Sequence, residues 1–147
     1  MRGRLMVTAT LAVAALAGAG WWLAPTHRIA PDDPAQVARG AVLYQAQCAR
    51  CHGAQLEGEP NWQIRKPNGE LPAPPHDASG HSWHHPDSYL FAVTKHGLAP
   101  FVPPDYKSGM PSFVGVLSDD EIRAVLAFIE SRWPPDIRAR QAAIPQQ

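Results

Sequence analysis

The sequence has little cysteine and no excess of charge of either sign. Only two of its 147 residues are cysteines, Cys48 and Cys51, and no second cysteine pair stands at the spacing of a zinc cage. The formal net charge is zero and no basic stripe is present, which argues against a nucleic-acid-binding protein. We also find no strand pattern and no internal repeat, so a thioredoxin-like βαβ unit is disfavoured and an all-α domain is predicted.

Proline and glycine are abundant, with 16 and 11 residues, and they predict short helices joined by long, stiff loops. The first helix should span residues 34–47, with Asp33 as its N-cap. A short helix should follow at 86–95. The last helix should begin at a capping box headed by Ser118 and end at Trp133. The remaining predictions are loops at 53–85 and 97–117 and a polar tail at 134–147.

Both cysteines belong to the pentapeptide Cys48-Ala49-Arg50-Cys51-His52, which has the C-x-x-C-H spacing that attaches a c-type haem. Two thiols on one helical turn can each add to a vinyl group of the porphyrin, and the adjacent imidazole then lies under the iron. The alternatives are a disulfide, a redox C-x-x-C, half of a zinc site and a chance match.

The loop at 53–85 is long for a compact domain and has few apolar residues of its own. A large prosthetic group would supply the missing core, which favours haem over the alternatives. The residues expected to pack on its faces and edges are Trp62, Ile64, Leu71 and Trp83.

The N-terminus has the pattern of a targeting or anchoring segment. Two arginines precede an uncharged run at residues 5–25. A signal peptide would be cleaved near the small residues 17–19. An uncleaved membrane anchor would use the whole run and place Trp21 and Trp22 at the outer interface, and this pair favours the anchor.

With either a signal peptide or an anchor, we expect the domain to be exported to the periplasmic side of a bacterial inner membrane, where it would be anchored or soluble in the periplasm. The chain then divides into four parts: a signal peptide or anchor (1–25), a linker (26–33), the folded domain (34–133) and the polar tail (134–147).

A haem iron held by one histidine either takes a sixth ligand or stays open to substrate. Met110 lies between Gly109 and Pro111, directly before the last helix, and its stiff loop suits a weak, soft thioether ligand that raises the reduction potential. A lone methionine more often fills a core. The place of Met110 between the haem motif and the capped helix nevertheless favours its role as the sixth iron ligand.

Taken together, these motifs resemble those of a class I c-type cytochrome of the single-haem bacterial type. The resemblance covers about residues 34–133. The first part of the family signature is matched by Gly40, Tyr44, Cys48, Cys51 and His52. The second part is matched by Met110, Pro111 and Phe113, while Val125 and Phe128 fall where the family's last helix crosses its first.

The resemblance implies a cytochrome c fold, with three to five short helices and long proline-rich loops wrapped around one covalently bound haem c. Cys48 and Cys51 would carry the thioethers, with His52 as the proximal and Met110 as the distal iron ligand. A proline carbonyl would orient His52, and the candidates are Pro72, Pro74 and Pro75. Candidates to hold the haem propionates are Trp62, Arg65, Trp83 and Tyr106.

The implied function is electron transfer, with the chain as a carrier for a respiratory or other membrane redox chain and not an enzyme itself. Its partners would be redox proteins of the membrane. Two alternatives are a haem c subunit of a dehydrogenase or oxidase, and a haem peroxidase or gas sensor with a labile Met110.

Four histidines within ten residues are less typical of the family: His76, His81, His84 and His85. They predict either a second metal site, for instance for copper, or a polar loop whose histidines make hydrogen bonds and contact propionates.

Overall fold

The computed structural model describes residues 28–146 and contains helices but no strands within that range. The α-helices are α1 (Pro34–Gln47), α2 (Ala49–His52), α3 (Asp87–His96), α4 (Asp119–Ser131) and α5 (Pro135–Ala142), with 3₁₀ turns at Ser82–His84 and Ala99–Phe101. The predicted all-α architecture is confirmed for these residues. The predicted N-terminal hydrophobic helix lies outside them, and none of the helices between residues 28 and 146 is long and apolar enough to span a membrane.

The predicted caps form at the starts of α1 and α4. The Asp33 side chain accepts a hydrogen bond from the Ala35 amide at 3.0 Å. At α4 the Ser118 hydroxyl accepts from the Glu121 amide, and the Glu121 carboxylate accepts in return from the Ser118 amide at 2.9 Å. The single cap bond at α1 and the reciprocal pair at α4 satisfy amides that a helix end leaves without partners, and they fix where each helix begins.

Helices α1 and α4 cross in close contact at Gly40. A Cβ atom built on Gly40 would lie 1.8 Å from the Ala124 carbonyl oxygen and 3.0 Å from the Phe128 Cβ. One turn further along α1, the buried Tyr44 ring packs on Phe128 with ring centroids 5.3 Å apart. The crossing therefore depends on a residue without a side chain at Gly40 and an aromatic ring at the next turn.

Tyr44 also connects this crossing to the end of the C-x-x-C-H motif. Its hydroxyl lies 2.9 Å from the Gly53 carbonyl oxygen and 3.2 Å from that of His52. Burial raises the pKa of this hydroxyl, so it remains a donor. One side chain thus packs in the core and holds the backbone at which α2 ends.

The C-terminal segment differs from the predicted polar tail. After Trp133, residues Pro135–Ala142 form α5, in which Ile137 packs against the core and Gln141 is buried. The Gln141 amide donates to the His85 carbonyl oxygen and to the Asp87 carboxylate. The prediction missed this helix because its few apolar residues give no stripe, and its buried contacts are mainly polar.

The Gly40 crossing predicts that Gly40→Ala destabilises the protein by about 3 kcal/mol or more, since the new methyl group meets a backbone carbonyl and the helices must separate. Denaturant unfolding would measure this change. Val42→Ala is the control, because Val42 lies on the same helix and is 71% exposed. Equal stability of the two variants would contradict the close approach.

Candidate functional site

A cavity of about 370 Å³ lies between the helices and the loops. Its walls come from the C-x-x-C-H motif, the loop after it, α3, the Met110 loop and α4. Both cysteines, His52 and Met110 line it. The four residues expected to bind haem, which span 63 positions of sequence, therefore line the same cavity.

The motif enters the cavity on the short helix α2, directly after α1. Cys48 and Cys51 are free thiols, with Cys48 partly buried and Cys51 exposed. Burial, and then the neighbouring Cys51, raises the pKa of Cys48 to about 11. Cys48 is thus a neutral thiol at neutral pH, which is not the low-pKa state of a redox C-x-x-C cysteine.

The tautomer of His52 follows from its hydrogen bond to Pro74. The His52 Nδ1 atom lies 2.9 Å from the Pro74 carbonyl oxygen. A carbonyl oxygen only accepts, so Nδ1 carries the proton and Nε2 keeps its lone pair for a metal. Burial lowers the pKa of His52, which favours the neutral imidazole that metal binding requires. Of the three candidate prolines, only Pro74 makes this contact.

The Met110 loop is held against the end of α3. The Lys95 carbonyl oxygen accepts hydrogen bonds from the Phe113 amide at 3.0 Å and from the Ser112 hydroxyl at 2.9 Å. Gly97, with a φ of 73°, lies so close that a Cβ there would be 3.4 Å from the Met110 carbonyl oxygen. These contacts hold the loop that carries Met110 against the end of α3.

The comparison with known families agrees with this geometry. The family model described as cytochrome c oxidase, cbb3-type, subunit III matches residues 35–129, well over half of the chain. The chain belongs to this family of class I c-type cytochromes. No curated protein and no solved structure matches it.

A cytochrome of this family binds haem c covalently, and the residues around the cavity fit that group. Two thiols stand at the attachment spacing, and the adjacent histidine has a lone pair for iron. The walls supply apolar contacts from Leu71, Leu90, Val93, Val125, Leu126 and Ile129. Helix α4 thus contributes both to the protein core and to the cofactor wall.

Two of the four candidate propionate contacts line the cavity of the cytochrome. These are Trp62 and Tyr106. Arg65 lies outside the cavity wall, with its guanidinium 4.9 Å from the centre of the Tyr106 ring. Trp83 also lies outside, stacked on His84 at 3.7 Å between ring centroids.

Three basic side chains in the cavity wall escaped the sequence reasoning, because isolated cations in an irregular loop carry no pattern. They are Arg50, Lys66 and Lys107. Lys66 pairs with Glu59 at 2.9 Å, and Lys107 donates to the Asn68 carbonyl oxygen at 3.0 Å. These cations stand at the wall where anionic groups of a ligand would be stabilised.

The structure does not support the prediction that Ile64 packs on the cofactor, since Ile64 lies outside the cavity wall and its side chain is 66% exposed. The backbone turns at Asn61, which has a φ of 56°, and the Ile64 amide donates to the Asn61 carbonyl oxygen at 2.8 Å. This turn leaves Ile64 on the surface, whereas Leu71 lines the cavity as expected.

Each of the four clustered histidines stacks on a different aromatic ring, and the His81 and His85 rings also meet edge to face with centroids 5.7 Å apart. His76 stacks on His52 and its Nδ1 lies 2.8 Å from the Ser82 hydroxyl oxygen. His81 stacks on Trp62, His84 on Trp83 and His85 on Tyr89. Between residues 28 and 146, no three potential ligands come together as a metal site. The arrangement favours the polar-loop interpretation over a second metal.

Glu130 is a buried acid that the sequence reasoning passed over. It is 5% exposed, lines the cavity, and its Oε1 atom has no hydrogen-bond partner. Burial first, and then the nearby Asp87, raises its pKa to about 8, against a smaller lowering by Arg138. Its position was readable from the sequence, because Ile122, Leu126 and Glu130 follow one another at four-residue spacing on one helix face.

We predict that copper titration of the haem-loaded cytochrome gives no stoichiometric site that depends on these histidines. His84→Ala and His85→Ala should each leave copper affinity at the wild-type level, because each ring stacks on a different aromatic partner. Calorimetry would measure the affinity. Loss of one tight equivalent in either variant would contradict the separate roles.

Proposed function

We propose that the chain carries electrons through one haem c that is bound by Cys48 and Cys51 and ligated by His52 and Met110. The observation that carries this proposal is the meeting of all four side chains around one cavity. Bound haem c supplies an iron that gains and loses one electron. The chain's own residues decide how that iron is held and what can reach it.

His52 and Met110 have complementary tasks in this proposal. The hydrogen bond to Pro74 keeps the imidazole in one tautomer and one orientation, which strengthens it as a ligand. The Met110 loop, held by the Lys95 carbonyl and packed against Gly97, keeps the thioether in place without a strong bond. Two protein ligands leave no open coordination position, which suits electron transfer and excludes substrate from the metal.

We propose a carrier for a respiratory or other membrane redox chain, exported to the periplasmic side and either anchored there or released. A tether would raise its effective concentration near membrane complexes. The family description favours a second candidate, a haem c subunit of an oxidase complex. Co-purification of the full chain from membranes distinguishes these: a subunit would migrate with a stoichiometric partner, and a carrier would migrate alone.

We predict that Met110→Ala keeps the covalent haem but opens the iron and lowers the midpoint potential, by part of the roughly 0.8 V over which axial ligands tune haem iron. The ferric spectrum should become high-spin and lose the weak charge-transfer band of Met–Fe ligation, and CO should bind without denaturant. Val114→Ala is the control, since Val114 lies in the same loop and is 57% exposed.

An unchanged low-spin spectrum and potential in Met110→Ala would exclude Met110 as the ligand. If the wild-type protein itself is high-spin or binds CO, the chain is instead a gas sensor or peroxidase with a labile methionine.

We further predict that His52→Ala prevents formation of stable holoprotein, because the iron loses the ligand that Pro74 orients. The ratio of haem absorbance to protein mass in the purified sample would measure this. His96→Ala is the matched control, since His96 is exposed at the end of α3. A normal haem content and low-spin spectrum in His52→Ala would contradict the assignment.

A further inference from the structure

Glu130 is a buried acid in a cavity wall that the electron-transfer proposal does not use. Helix α4 places it there by the spacing that also buries Ile122 and Leu126. One carboxylate oxygen has no partner, although a buried polar atom almost always has one. Leaving it unpaired and ionised is costly, whereas a proton on the carboxyl removes the buried charge.

The charges that act on Glu130 come from α3 and α5, and three histidines of the loop before α3 line the same cavity. Asp87 of α3 repels a negative charge there, and Arg138 of α5 attracts one while also pairing with Asp32 at 2.8 Å. His76, His81 and His85 line the same cavity, and burial lowers the pKa of each. These imidazoles are therefore neutral above pH 7 and do not take up protons in the range in which Glu130 does.

We propose that Glu130 is a redox-linked proton site: it takes up one proton from solvent when the haem centre gains one electron, and it releases that proton on oxidation. In the balanced step, ferric iron, the Glu130 carboxylate, one proton and one electron from a reduced partner protein give ferrous iron and the neutral acid. Reduction removes one positive charge from the cavity. At low dielectric this loss makes the neighbouring carboxylate less stable and favours its protonation.

The sign of the effect follows from the two protonation equilibria. The carboxyl is a weaker acid beside ferrous than beside ferric iron. Between these two pKa values the midpoint potential falls as pH rises, and outside them it is constant. One proton per electron sets the limiting slope at about 59 mV per pH unit, the equivalent of a tenfold change for one electron.

Spectroelectrochemical titration of the full-length holoprotein on either side of pH 8 tests the proposal. The wild-type potential should fall with pH in this range, and Glu130→Gln should hold the potential near the low-pH plateau, because the amide resembles the neutral acid. Asp120→Asn should retain the wild-type slope, since Asp120 lies on the same helix but outside the cavity wall, with its side chain 42% exposed and paired with Arg123. An unchanged slope in Glu130→Gln would assign the proton to a haem propionate or another group and overturn the proposal.

Arg138→Gln provides a second test that leaves Glu130 in place. Removing the cation that lowers the pKa of Glu130 should move the pH range in which the midpoint potential falls to higher pH. An unchanged range would contradict Glu130 as the proton site. In the reduced-minus-oxidised infrared spectrum, a carboxyl C=O band should appear on reduction and be absent in Glu130→Gln. The inference rests on haem-based electron transfer but not on Met110, whose failure as a ligand would show separately in the ferric spectrum.

Discussion

The contact of Gly40 with the Ala124 carbonyl is the constraint on which the rest of this cytochrome depends. It lets α1 and α4 cross at backbone distance, and Tyr44 then reaches Phe128 on one side and the carbonyls of His52 and Gly53 on the other. Position and orientation of the haem motif are thus set by helix packing more than by the short helix α2 itself. A buried tyrosine hydroxyl with two carbonyl acceptors transmits that packing to the site.

The loops are held in place by hydrogen bonds more than by apolar packing. They bury little apolar surface by themselves, and they are positioned by specific hydrogen bonds between distant backbone groups. The His76 amide donates to the Leu56 carbonyl oxygen, and the Trp133 indole donates to the His76 carbonyl oxygen, each at 2.8 Å. Such bonds bring the Pro74 carbonyl to His52. A bound cofactor can then fill the interior that apolar side chains fill in a conventional core.

The polar groups of the cavity separate into two kinds. Glu59 and Lys66 form an ion pair at the rim, where solvent limits both its energy and its influence on the iron. Glu130 is buried and unpaired, so its charge is poorly screened and is coupled to any other charge in the cavity. Proton uptake coupled to electron transfer needs only one such group. The strength of this coupling depends on the distance between the two charges and on their burial, and it does not depend on how many charged residues line the cavity.

Local patterns in the sequence determined α1, α3 and α4, the caps of α1 and α4, the haem motif and the Met110 loop, because each depends on residues close together in the chain. The family resemblance then placed the first and last helices in contact. Only the tertiary structure decided between Pro72, Pro74 and Pro75, left Ile64 on the surface, folded residues after Trp133 into α5 and made Glu130 an unpaired acid in the cavity. These outcomes depend on contacts between distant segments. The local spacing of residue types does not specify which carbonyl group or charge a side chain contacts, or whether it lies on the surface.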